Sequence, residues 1–225
     1  MADRPTPQAE EQLVREFFGD ETGYFVEIGV RHPTAGSQSF PLEQAGWSGV
    51  LVEPQPDLAA FLVTARKAKV FAAACVAAAR DGQPLALRVA HAAVTADYNI
   101  AVPTRTLDSI LEEAEAPAPI DLLSIHAAGR ESEALGGFSF ERWQPLLILV
   151  DDPVGSLRTH GFLKRNGYRL IRRTGFNGWY VPDDTTMRAN RQERRTIRKY
   201  YLAMPMRKLR NSWRISWRRM RRRNI

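Results

Sequence analysis

Residues 23–57, GYFVEIGVRHPTAGSQSFPLEQAGWSGVLVEPQPD, constrain the fold of this chain more than any other segment. They read as a strand, a turn, a short helix and a second strand that ends in an acid. In open α/β folds the turn after the first strand approaches a nucleotide cofactor, and an acid closing the next strand takes ribose hydroxyls. Glu53 stands at that place, and Pro54 forces the chain out of the strand behind it. The turn itself is irregular. After Gly29 come Val30, Arg31, His32 and Pro33, where small residues and exposed backbone N–H groups are expected, and a proline at 33 removes a donor and fixes φ.

The rest of the chain continues the alternation. Leu13, Val14, Phe17 and Phe18 fall at helical spacing between Pro7 and Gly19, which predicts an opening amphipathic helix docked on a sheet. Strands are expected over residues 24–28, 49–53, 70–76, 84–89 and 120–125, and helices over 39–45 and 106–115, the latter with Leu107, Ile110 and Leu111 facing inward. Asp57 is expected to cap a helix running to Lys67, with Leu58, Phe61, Leu62 and Ala65 on its buried face. The unbroken aliphatic run 146–150 has the character of a parallel strand covered on both faces. A helix over 156–165 follows, then strands 168–173 and 179–181 around the turn Gly175-Phe176-Asn177-Gly178, an antiparallel hairpin closing the sheet. The pattern predicts a doubly wound, mostly parallel α/β domain over residues 23–182, preceded by a docking helix in 1–22 and followed by a basic helical tail in 183–225.

Composition limits what surrounds this domain. With 225 residues and 44% hydrophobic content the chain can bury a full core, while its longest apolar runs are far shorter than the ~20 residues a membrane span needs. The acidic, proline-bearing start MADRPTPQAEEQ lacks the pattern of a secretory signal, so the cytoplasm is the expected compartment. The lone Cys75 lies in an alanine and valine run, which excludes an internal disulfide or a multi-cysteine metal site and suits a small core residue. The net charge of +7 is unevenly distributed: residues 187–225 hold fifteen lysines and arginines against one acid, Glu193, so that this tail carries +14 and the other 186 residues −7. An acidic body with a basic tail implies an anionic partner for the tail. Beyond Pro205, Leu209, Trp213, Trp217 and Met220 fall within about 80° of one another on a helical wheel, among arginines. Residues 206–223 are therefore expected to lie on an anionic membrane surface, on the inner face of the membrane, with tryptophan at the interface and each basic residue adding on the order of 1 kcal/mol. Nonspecific nucleic-acid binding and packing on the acidic domain are the rival readings.

Four segments together resemble the FkbM-type family of S-adenosylmethionine-dependent methyltransferases over roughly residues 23–182: Gly23-Tyr24-Phe25-Val26-Glu27-Ile28-Gly29, the run LEQAGWSGVLVEP at 42–54, Thr106-Leu107-Asp108-Ser109-Ile110-Leu111, and residues 120–152. The resemblance implies a Rossmann-like methyltransferase fold, S-adenosylmethionine as cofactor, and a hydroxyl acceptor on a sugar, glycolipid or natural product. It places Glu27, Gly29 and Glu53 at the cofactor. The family pattern after the first strand is Gly, Ala, Asn or similar, Asp, Gly, against Gly29-Val30-Arg31-His32-Pro33 here; after the fourth it is Asp, Val, Glu, Gly, x, Glu, against His126-Ala127-Ala128-Gly129-Arg130-Glu131.

These departures gather at one mouth of the sheet, where open α/β proteins bind ligands. His126 is a candidate general base, because methyl transfer to a hydroxyl benefits from a group with a pKa near neutral, and Glu131 is the acid retained beside it. A metal site from His32, His126 and Glu131 has no pair of ligands at diagnostic spacing, and none is expected. Arg31 and Arg130 add positive charge to the same mouth and suit a phosphate or carboxylate, or solvent. Acceptor specificity is expected on loops such as 91–102. Two functions follow as expectations: a cofactor-dependent O-methyltransferase, or a relative that keeps the fold as a binding or scaffolding module in glycan assembly. The oligomeric state is left open.

Overall fold

The computed structural model describes residues 7–89, 98–151, 157–175 and 177–202. The expected tryptophan stripe at 209–220 and part of the 91–102 loop lie outside them. Helix α1 (Pro7–Phe18) leads into β1 (Tyr24–Ile28), α2 (Phe40–Gln44), β2 (Ser48–Val52), α3 (Pro56–Ala65) and β3 (Lys69–Phe71). Three short strands follow, β4 (Ala74–Cys75), β5 (Leu85–Val89) and β6 (Tyr98–Val102), then β7 (Thr104–Arg105) and α4 (Leu107–Glu113). The second half comprises β8 (Leu122–Ile125), α5 (Glu131–Ala134), α6 (Phe140–Trp143), β9 (Leu147–Asp151), α7 (Arg158–Arg165), β10 (Tyr168–Thr174), β11 (Asn177–Pro182) and α8 (Arg191–Leu202).

Seven strands form one sheet in the order β10-β11-β9-β8-β1-β2-β3. Pairing is parallel from β3 through β2, β1 and β8 to β9, and antiparallel where β11 joins β9 and where β10 joins β11. Strands β1 and β8 are buried at every position, as their near-continuous apolar runs require when both faces are covered. One layer gathers Val26, Ile28, Leu107, Ile110, Leu111 and Trp143; the other gathers Phe25, Trp47, Leu51, Leu62, Leu149 and Trp179. The chain runs outward from β1 through β2 to β3, then crosses to β8 on the other side, so strand order reverses between β1 and β8. That reversal opens a crevice at the carboxyl ends of these strands.

Several expected elements differ in extent. The strand anticipated over 70–76 breaks after Phe71, because Ala74 and Cys75 leave the sheet to pair with Thr104 and Arg105. Among the described residues the strand at 84–89 pairs with β6 alone, in an antiparallel ribbon apart from the main sheet. Asp57 does not cap α3: Gln55 precedes the helix, Pro56 takes its first turn, and Asp57 lies inside it. The buried face of α3 is Ala59 and Leu62, with Phe61 53% exposed. Arg66 at the C-cap continues that face, its fully excluded side chain held by Glu43 of α2 at 2.9 Å. Asn177 and Gly178 belong to β11 instead of the turn.

Candidate functional site

A cavity of about 420 Å³ lies at the crevice, floored by the ends of β1, β2 and β8 and walled by β5. Ala74, Cys75, Leu85, Leu87 and Ala127 give it an apolar wall; Arg31, Glu53, Arg88, His126 and Arg130 supply its charged and titratable groups.

Gly29 is fixed by backbone geometry. Its φ is +79°, its amide donates to the Val52 carbonyl at 2.8 Å, and a Cβ there would stand 2.0 Å from the His126 carbonyl oxygen. The His126 amide in turn donates to the Ile28 carbonyl at 2.9 Å. The absence of a side chain thus lets two loops cross at the cavity floor.

Glu53 follows β2 and is 3% exposed. Its Oε1 accepts from the Gln55 amide at 2.8 Å, and the residue lines the cavity. Burial raises its pKa to about 7, against the lowering effects of the Gln55 amide and the Arg31 guanidinium. Cys75, in the apolar wall, is pushed by burial to about 12 and stays a neutral thiol.

Glu27 is placed elsewhere. It is 2% exposed and outside the cavity lining, where its Oε2 accepts from the Ser37 hydroxyl at 2.7 Å, the Ser39 amide at 3.2 Å and the Ser39 hydroxyl. Arg66 ties the same loop: its guanidinium donates to the Pro33 carbonyl at 2.9 Å and to Ser37 and Ser39 hydroxyls at 3.2 and 2.9 Å. Glu27 therefore holds loop 31–39, whose Arg31 lines the cavity.

His32 is exposed and turned into that loop, its Nδ1 accepting from the amides of Thr34 at 3.2 Å and Ala35 at 2.9 Å. A carboxylate at this position could accept the same amides, so the imidazole fills that acceptor role. Among the described residues no group of three His, Cys, Asp or Glu side chains is placed to hold a metal ion. Glu131 is 2% exposed and lies outside the cavity lining; its Oε1 accepts from the Gly129 amide at 2.8 Å and closes a loop in which Ala128 and Gly129 have φ of +52° and +93°. His126 does line the cavity, and among the described residues no side-chain hydrogen bond engages its ring.

Sequence reasoning missed Arg88, whose only signal is a cation at the end of the apolar run Leu85-Ala86-Leu87. It also missed the role of Asp108, which accepts from the Trp143 indole and the Ser139 amide, each at 2.8 Å, and so ties α4 to α6.

A largely parallel sheet with a ligand crevice at its switch point, an acid closing the second strand and an antiparallel outer pair defines an open α/β domain consistent with the methyltransferase fold. The family profile described as the Methyltransferase FkbM domain matches residues 27–170, and the chain belongs to that methyltransferase family. No curated protein matches it.

Proposed function

We propose that this protein is an S-adenosylmethionine-dependent O-methyltransferase acting on a hydroxyl of a sugar or glycolipid-linked acceptor, and that its basic C-terminal segment holds it against an anionic membrane surface. One observation carries the reading of the cavity: Glu53, the acid that closes β2, is brought to a partly apolar crevice at the switch point, with one carboxylate oxygen taking no hydrogen bond from the described residues. Members of the family generally use S-adenosylmethionine.

The residues fit the adenosyl half of that cofactor. Glu53 would take the ribose hydroxyls, and Ala74, Cys75, Leu85 and Leu87 would enclose the base. At the other end Arg31 and Arg130 suit a carboxylate. When bound, the cofactor supplies an electrophilic methyl group on sulfur. The chain's part is to hold the acceptor in line with that methyl and to receive the hydroxyl proton, for which His126 Nε2 or Nδ1 is the available base at the cavity. Calorimetric titration with S-adenosylmethionine and with its demethylated product tests this reading. Micromolar to millimolar binding at one site is expected, and no heat at millimolar ligand would sink it.

A second reading has its own support: among the described residues Glu53 supplies the only carboxylate of the cavity lining, and none of them stands as a partner for the cofactor's ammonium. In that case the domain is a binding or scaffolding module in glycan assembly. The native chain then binds no cofactor, while His32→Asp, Pro33→Gly and Ala128→Glu together restore binding.

A further inference from the structure

Helix α8 gathers its cations in one stripe. At 3.6 residues per turn, Arg191, Arg194, Arg195, Arg198 and Lys199 fall within about 140° of one another and run about 12 Å along the axis. All five are exposed. Among the described residues no ion pair engages their side chains, whereas other arginines sit against acids: Arg66 on Glu43 at 2.9 Å, Arg80 on Glu133 at 2.6 Å, Arg172 on Glu193 at 2.6 Å.

The other side of the helix is fastened to the domain. Glu193, Ile197 and Tyr201 recur at every fourth position and are partly buried, and α8 packs on β10. Glu193 meets Arg172 of β10, and the Tyr201 ring stands 4.9 Å from the His160 ring of α7, centroid to centroid. The helix is thus a fixed part of the domain surface, with its stripe turned outward. Strand β10 is one edge of the sheet, and β3 is the other.

A row of guanidinium groups one turn apart suits the phosphates and carboxylates of an anionic leaflet, and each cation within a Debye length of that surface adds to binding. No apolar residue belongs to the stripe, so its contact would be with headgroups. The sequence that follows, 203–225, brings nine further lysines and arginines, two tryptophans and no acid. Tryptophan among arginines favours the interface of a bilayer.

We propose that the α8 stripe is a docking face for an anionic leaflet that fixes how the domain stands on the membrane, while the segment after it supplies the anchor. This rests on the membrane reading of the basic segment. A tether alone leaves the domain free to turn. A docked helix that carries its own cations sets the β10 edge toward the headgroups and the β3 edge away from them.

The test uses the full chain and vesicles containing a quarter phosphatidylserine. Two double variants lower the charge equally: Arg194→Gln with Arg198→Gln on the stripe, and Lys67→Gln with Lys69→Gln, both exposed, at the β3 edge. Each is first checked for an unchanged melting curve. Vesicle binding is expected to fall at least about tenfold in the stripe variant and less than about twofold in the other. A fluorophore at Gln192→Cys, beside the stripe, is expected to be quenched by a spin label on the lipid headgroups, and one at Lys67→Cys is not; the native Cys75 is buried and stays unlabelled. Equal binding losses in the two variants, or equal quenching at the two labels, would overturn the proposal and leave the membrane reading in place. A native chain that ignores the vesicles would remove both. Unchanged vesicle binding in the stripe variant, with salt-sensitive retention on DNA lost instead, would overturn the proposal and give the face to nucleic acid.

Discussion

Burial at the end of β2 raises the Glu53 pKa from 4.5 to about 7, and this has a consequence for stability. Between these values the unfolded chain is ionised and the folded one still holds its proton, so folding is favoured most below pH 4.5 and the advantage is lost as pH rises to 7. The span corresponds to roughly 3 kcal/mol. Urea midpoints measured from pH 4.5 to 7.5 should fall with pH more steeply in the native protein than in Glu53→Gln, and parallel profiles would show that Glu53 is not the group responsible. Gly29 offers a second residue-level expectation. With φ at +79° and the His126 carbonyl 2.0 Å from any Cβ, Gly29→Ala should cost about 2–5 kcal/mol by urea denaturation. At this scale the strand pattern and the proline behind it set Glu53 at the end of the second strand, which is where the structure has it. Glu27 lies inside β1 on the face of Phe25, where loop 31–39 brings Ser37 and Ser39 to it, whereas Glu53 follows β2 and lines the cavity; the path of that loop was not legible in the sequence.

Loop 31–39 is held at the level of elements, by α2 and by the residue that ends α3. Arg66 bonds to Glu43, Pro33, Ser37 and Ser39 with its side chain excluded from solvent, and Glu43 also accepts from the amides of Lys67 and Ala68 at 3.2 and 2.9 Å. Arg66→Met leaves a buried carboxylate without its cation and should cost about 3–5 kcal/mol, with protease cleavage appearing first within 31–39. If Glu43→Gln restores most of the loss in the double variant, the unpaired charge is its cause. The periodicity of α3 suggested a face through Leu58, Phe61, Leu62 and Ala65; the observed face keeps Leu62 and runs from Ala59 to the buried Arg66, leaving Phe61 exposed. At the other end of the chain α8 begins with a reciprocal cap, Asn190 Oδ1 accepting from the Glu193 amide and Glu193 Oε2 from the Asn190 amide, both at 2.8 Å. Glu193 also meets Arg172 of β10 at 2.6 Å, so the only acid of the tail joins the helix to the sheet. Arg191, Arg194, Arg195, Arg198 and Lys199 are left exposed.

For the whole molecule the division of charge between body and tail makes the partner of the tail measurable. Among the described residues no helix is long and apolar enough to cross a membrane. Deleting residues 203–225 removes nine lysines and arginines and no acid. Co-sedimentation with vesicles containing a quarter phosphatidylserine should fall at least about tenfold on this deletion, and more at low salt than at high. Unchanged vesicle binding, with salt-sensitive retention on DNA lost instead, would assign the tail to nucleic acid. The alternating elements, the buried parallel strands and the acid closing β2 were all legible in the sequence, because periodicity and local chain punctuation depend on neighbours a few residues apart. The resemblance in four segments likewise anticipated the family. The destinations of residues 74–75 and 85–89, the rotation of α3, and the meeting of Arg31, Arg88 and Arg130 around one cavity depended on strand order and on contacts between segments tens of residues apart. Sequence spacing carries no record of such contacts. The chain alone determined what kind of sheet it builds and where its first crevice opens, and the tertiary structure decided which charges face into that crevice.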